Sequence, residues 1–189
     1  MADRLDLQLI SAALRRFGWV RFWAQVVLAV VVLGVLIFNN IGGQIGGVGK
    51  AFGLGPGLSL TTLAFFVLLW SLWQSWLILR CGRALDSPVR PGKGETARLI
   101  KRGVLADLVG LTLGVVGYQS LAGSLFFQAS TQAGLSFGGV QTTPGGRITN
   151  YPITSLEMLA TLSNTQVVFA HLIGLWISLW LLQRIYRKA

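Results

Sequence analysis

Carboxylates are the scarcest charge in this sequence: 189 residues hold six Asp and Glu against sixteen Lys and Arg. There is one cysteine, Cys81, and one histidine, His171. A single cysteine excludes an internal disulfide and any CxxC metal site. Without a second histidine or cysteine there is no protein-built transition-metal site in view. Asp107 and Glu157 stand on opposite sides of the expected topology and form no general acid and base pair, so the sequence predicts no enzyme. Only 12% of residues are charged and 53% are hydrophobic, which is the composition of a membrane protein.

The hydrophobic residues gather in four stretches, at 22–38, 59–79, 103–127 and 158–182, each near the roughly 20 residues that a helix needs to cross hydrocarbon. The expected fold is therefore all-α, an integral membrane protein of four transmembrane helices. The first stretch has too long an apolar core for a signal peptide, and "NNIGGQIGG" behind it offers no cleavage site, so it is expected to remain as an anchor. Ahead of it, residues 1–21 space Leu5, Leu9, Ala13, Phe17 and Val20 by three or four. That spacing predicts an amphipathic helix lying on the membrane surface as a separate segment, with the membrane domain at 22–189.

Net charge is +10, yet its distribution points away from nucleic acid. Fourteen of the sixteen basic residues flank the spans on one side, leaving Lys50 and Arg147 opposite. This positive-inside pattern predicts that both termini are cytoplasmic, facing anionic lipid headgroups rather than RNA or DNA. Trp19, Trp23, Trp76 and Trp180 fall near the same span ends as an interfacial belt. The opposite loops, 39–58 and 128–157, are glycine-rich and read as turns without a phosphate loop, since no Lys-Ser or Lys-Thr pair follows their glycines.

Within the third span Gly103, Asp107, Gly110, Gly114 and Gly117 recur at four, three, four and three, one stripe on one helix face. The glycines are a packing face, where another backbone can approach closely. The fourth span carries Thr161, Asn164, His171 and Ser178 with Gly174. In the second, Trp70, Trp73 and Trp76 lie opposite Ser71, Gln74 and Ser75. Measured inward from the nearest flanking arginine, Gln25 lies about 6 Å deep, Gln74 and Ser178 about 9 Å and Asp107 about 7 to 8 Å. These four residues form an expected intramembrane polar layer, as a cation or proton site or as a structural clasp, with Arg102 or Arg184 in reach of Asp107. The same ruler puts His171 about 20 Å deep, too far to pair with Asp107. His171, with Asn164, is held as a ligand or proton site. No cofactor is predicted, although His171, as the one histidine, could ligate the metal of a tetrapyrrole.

The segments "FWAQVVLAVVV" (22–32), "KRGVLADLVGLTLGVVGYQSLAGSLFFQA" (101–129) and "HLIGLWISLWLLQ" (171–183) resemble the chloroplast inner-envelope Tic twenty-one, or permease-in-chloroplasts, family and its cyanobacterial relatives. The resemblance implies a four-span protein of a photosynthetic membrane system, in the plasma or thylakoid membrane. It also implies one of two roles, a permease chiefly for iron or a component of a preprotein translocon. A permease of four spans requires a homo-oligomer, with subunits meeting through the glycine face. The alternative is an accessory or assembly subunit docked on a larger membrane complex.

Overall fold

The computed structural model describes residues 2–45, 54–85, 91–138 and 155–187. They form four helices, α1 (Ala2–Ile45), α2 (Leu54–Ala84), α3 (Lys93–Gly138) and α4 (Ser155–Arg187), and no strand occurs among the described residues. Consecutive helices run antiparallel, and α4 closes the ring against α1. Across one diagonal α2 and α4 touch, where Thr61 meets Asn164 and the Ala64 carbonyl meets His171. Across the other, α1 and α3 make no Cα approach within 8 Å among the described residues, so only long side chains can join them.

The expected surface helix at residues 1–21 is not a separate element. From residue 2 the chain is one helix of 44 residues that enters the bundle. No proline interrupts it, and the face made by Ala13, Leu14, Gly18, Arg21, Gln25, Ala29 and Val32 continues one buried stripe through residue 21. Ser11 donates to the Gly82 carbonyl at 2.8 Å, and Gly18 faces Leu79, fixing this first part of α1 along α2 rather than flat on a surface. Helix also extends over residues expected as loop, since α1 runs to Ile45, α2 starts at Leu54 and α3 reaches Gly138. The rest of those loops, 46–53 and 139–154, lies outside the described residues.

Polarity is distributed inside out relative to a protein folded in water. Arg21, Gln25, Ser71, Ser75, Asp107, Asn164 and His171 are buried, while Val27, Val30, Phe66, Trp70, Trp73, Leu105, Val116, Phe169 and Trp176 are exposed. Such a surface suits hydrocarbon, in which every backbone group must be satisfied within helices. Among the described residues three segments are long and apolar enough to cross a membrane: Gln8–Phe38, Pro56–Ala84 and Glu157–Arg187, with mean hydropathies of 2.4, 1.7 and 1.7. The protein is a multi-pass membrane protein. α3, which carries Asp107 and the glycine stripe, is not among the three.

Two apolar clusters stack along the bundle. One, at the end holding the helix termini Ala2 and Arg187, joins Leu14, Ile78, Ile100, Leu181 and Ile185. The other joins Ala29, Val32, Phe65, Leu68, Val167 and Ala170. Along α3 the glycines admit side chains from the neighbours. A Cβ on Gly110 would fall inside the His171 ring; one on Gly114 would meet Val168 at 2.7 Å, and one on Gly117 would meet Asn164 Nδ2 at 2.8 Å. The stripe is thus consumed within the chain, and the expectation that subunits meet through it is corrected: it is the seat of α4.

Gly110→Ala is expected to destabilise the detergent-solubilised protein by about 1–3 kcal/mol, because the His171 ring is held at both nitrogens and cannot yield. Gly123→Ala, whose Cβ meets nothing within 4 Å, is expected to cause no loss. Thermal unfolding of the two variants in parallel checks the pair.

Candidate functional site

Asp107 is completely buried, and all three other helices reach it. From α1, Arg21 Nη2 donates to Asp107 Oδ2 at 2.8 Å, and Gln25 Nε2 lies 3.4 Å from Oδ1. From α2, the Ser71 hydroxyl donates to Oδ1 at 2.5 Å while accepting from Arg21 Nη2 at 2.9 Å and Gln25 Nε2 at 3.0 Å. Ser75 donates to Gln25 Oε1 at 2.9 Å. From α4, His171 Nδ1 stands 3.2 Å from Asp107 Oδ1, with Nε2 at 3.2 Å from the Ala64 carbonyl. Gly174 completes the seat, because a Cβ there would come within 2.5 Å of both Asp107 Oδ2 and Gln25 Nε2.

Each contact follows from the position of the residue in its helix. Arg21 and Gln25 are one turn apart on the buried stripe of α1, and their length spans the diagonal that the backbones leave open. Ser71 and Ser75 are likewise one turn apart on α2. On α3 and α4, Gly110 faces His171 and Gly117 faces Asn164, so a seven-residue spacing on one helix answers the same spacing on the other.

The chemistry centres on one proton. Oδ1 of an ionised Asp107 and the Ala64 carbonyl are both acceptors, so His171 satisfies both only when each ring nitrogen bears hydrogen. Equivalently, the proton sits on the carboxyl group and is donated to Nδ1. Asp107 and His171 thus face each other through Oδ1 and Nδ1, beside the guanidinium of Arg21. Of the five N–H donors of that guanidinium, the one on Nε and the two on Nη1 are buried and have no partner among the described residues.

The expected polar layer is thus partly redrawn. Gln25 and Asp107 meet. Gln74 is buried, but its Oε1 has no partner among the described residues, and Ser178 donates to the Gly174 carbonyl of its own helix at 2.7 Å. Asp107 pairs with Arg21, not with Arg102 or Arg184. His171, expected to be out of reach, is in contact. The depth ruler failed because flanking arginines do not mark one plane. Arg98, Lys101 and Arg102 lie well inside α3, and Lys101 reaches outward to place Nζ 5.6 Å from the Tyr186 ring. Arg21, the zero of the ruler on α1, is itself part of the layer. Its signal was the three-and-four spacing from Gly18 through Arg21 to Gln25.

Asn164 builds a second, separate contact, donating to Thr61 Oγ1 at 2.6 Å, and Thr61 donates to the Gly57 carbonyl at 2.9 Å. Asn164 Oδ1 is buried and has no partner among the described residues. A tetrapyrrole at His171 does not fit: an axial ligand needs a free ring nitrogen facing an open slot, and both nitrogens are engaged while Gly110 closes on the ring. No group of three or more His, Cys, Asp or Glu gathers among the described residues.

A family model described as "Protein of unknown function (DUF3611)" matches residues 4–186. The chain belongs to the DUF3611 family. This DUF3611 chain is also similar to "Protein TIC 21, chloroplastic" of Arabidopsis thaliana, at 24% identity over 182 residues. That alignment covers 95% of this chain and 58% of the relative, so the chain spans somewhat over half the length of the protein it matches. No solved structure matches the chain.

The pairing predicts non-additive losses. Arg21→Met strands a buried carboxylate and is expected to cost about 3–5 kcal/mol. Combining it with Asp107→Asn should cost clearly less than the two single losses together. Unfolding of the four proteins of this cycle measures the coupling, and additive losses would show that the two side chains do not meet.

Proposed function

We propose that this DUF3611 protein is a non-enzymatic permease-like protein of a photosynthetic membrane system, with the buried Arg21–Asp107–His171 layer as the site that a transported or coupling cation engages. In this reading α3 is the fourth membrane crossing and both termini lie in the cytoplasm, whether the membrane is the cell inner membrane or the thylakoid. The observation that carries it is the burial of three ionisable side chains, Arg21, Asp107 and His171, in contact at one level of the bundle. Buried ionisable groups of this kind mark ion and proton pathways in membrane proteins.

The cargo class is a metal ion, iron foremost, taken from the resemblance to TIC 21 and the permease role assigned to that family. Asp107 Oδ1 and Oδ2, Ser71 Oγ and Gln25 Oε1 are the oxygens of the layer, and each is already engaged, Oδ2 by Arg21, Oδ1 by Ser71 and His171, and Gln25 Oε1 by Ser75. Metal and Arg21 therefore compete for one carboxylate, and entry requires the guanidinium to swing off it. The contact of Asp107 with His171 offers a means of coupling that exchange to a proton gradient. Because the glycine stripe is used inside the chain, any homo-oligomer has to form through other surfaces, such as the face of Trp70 and Trp73.

The same fact gives the accessory reading its support. With the packing stripe filled, the exposed tryptophans of α2 and α4 are free to meet a larger membrane complex as well as lipid. Reconstitution separates the two. Vesicles containing the full chain are expected to take up iron(II) or manganese(II) faster than empty vesicles when a proton gradient is imposed, with a loss of about tenfold or more in Asp107→Asn. His171→Gln should retain uptake but lose its response to the gradient. Uptake equal to that of empty vesicles, together with a stoichiometric partner retained on mild extraction, would favour the accessory role.

A further inference from the structure

At the end of the bundle that holds the α2–α3 connection, a cleft of about 580 Å³ opens between α2 and α3. It is lined by Arg80, Cys81, Glu95, Arg98, Leu99 and Arg102 among others. It is separate from the Asp107 layer, and the reading of that layer makes no use of it.

Several features make the cleft more than a solvated basic edge. Arg98 and Arg102 are one turn apart on α3, so both guanidinium groups hang on the same face. Arg80 comes from the opposite wall and is steadied by its own helix, its Cζ 4.7 Å from the Trp76 ring. The two walls are clamped below the charges, where Cys81 Sγ and Thr96 Oγ1 lie 3.5 Å apart. Thr96 also donates to the Gly92 carbonyl through both its hydroxyl, at 3.2 Å, and its backbone N–H, at 3.0 Å, which fixes the first turn of α3. None of the three arginines makes an ion pair among the described residues. Among the described lining residues Glu95 is the one acidic side chain, set against three arginines.

We propose that this cleft binds a phosphate group, and that the phosphodiester of an anionic membrane lipid is its natural source. Guanidinium groups recognise phosphate oxygens by paired N–H donors, and three that converge from two walls can surround a tetrahedral anion. The volume lies in the range of small-molecule sites and leaves space for the glycerol beyond the phosphate. Half-buried Leu99 and Ala84 supply an apolar flank for the start of an acyl chain. Trp76, exposed beside Arg80, sets the cleft at the level where indole rings settle between hydrocarbon and headgroups. Basic pockets between membrane helices bind anionic headgroups for these reasons.

The test uses the full chain purified in mild detergent and exchanged into nanodiscs of phosphatidylcholine with or without phosphatidylglycerol. Native mass spectrometry counts retained lipid, and glycerophosphate and inorganic phosphate are added as competitors. Wild type is expected to retain phosphatidylglycerol over phosphatidylcholine, and Arg98→Gln/Arg102→Gln should weaken that retention roughly thirtyfold, about fivefold for each arginine. Arg187→Gln, at the end of α4 and outside the cleft, should match wild type. Retention that resists both competitors identifies the lipid as the source, whereas displacement by either identifies a soluble phosphate, and each supports a phosphate site. Thermal unfolding without added lipid should be unchanged in the double variant, since Arg98 and Arg102 are exposed. Equal retention of the two lipids by wild type, or equal retention of phosphatidylglycerol by wild type and the double variant, would overturn the proposal.

Discussion

A carboxylate removed from water must be neutralised where it stands, and in this bundle every helix is placed by that requirement at Asp107. An isolated buried carboxylate carries a desolvation cost that no single apolar contact offsets. Arg21 supplies the opposite charge, Ser71 a short hydrogen bond and His171 a ring nitrogen 3.2 Å from Oδ1. These partners come from α1, α2 and α4, so the carboxylate fixes the register of three helices against the fourth. Arg21 also joins α1 to α3 across the diagonal on which their backbones stay apart.

The glycines belong to the same constraint. A membrane helix gains no hydrophobic drive from packing on another, so close backbone approach and polar contacts hold the bundle together. Gly110 and Gly174 bring the His171 ring and the Asp107 carboxylate within hydrogen-bonding range by leaving out the methyl group that would occupy the space of each. Above and below, clusters around Leu14 and Ile78 and around Val32 and Leu68 seal the layer from both ends. Sealed in this way, Asp107 is fully buried between the two clusters.

How much of this was legible in the sequence depended on whether the signal lay within one helix or between two. The helical class, the apolar spans and the shared face of Asp107 with its glycines are properties of single helices, and spacing revealed them. The pairing of Asp107 with His171 depends on the axial offset between α3 and α4, and arginines taken as depth marks misplaced it because long basic side chains reach the interface from different levels. The matched seven-residue spacing, Gly110 and Gly117 against His171 and Asn164, carried the true offset. Arg21 was missed for a related reason: a basic residue next to an apolar run reads as its boundary, although its place on the stripe with Gly18 and Gln25 marked it as internal. Gln74 shows the reverse error, a polar residue on the right side of its helix but one position away from the Ser71 and Ser75 row that meets the carboxylate.

The contact between Arg21 and Asp107 in a lipid bilayer is the most direct test. Dipolar recoupling by solid-state NMR, on protein carrying isotope-labelled arginine and aspartate, detects guanidinium nitrogens next to carboxyl carbons without relying on stability or activity. A close nitrogen–carbon contact that disappears in Arg21→Gln is the predicted result. A spectrum in which Asp107 has no arginine neighbour, or in which the contact survives Arg21→Gln, would contradict the account.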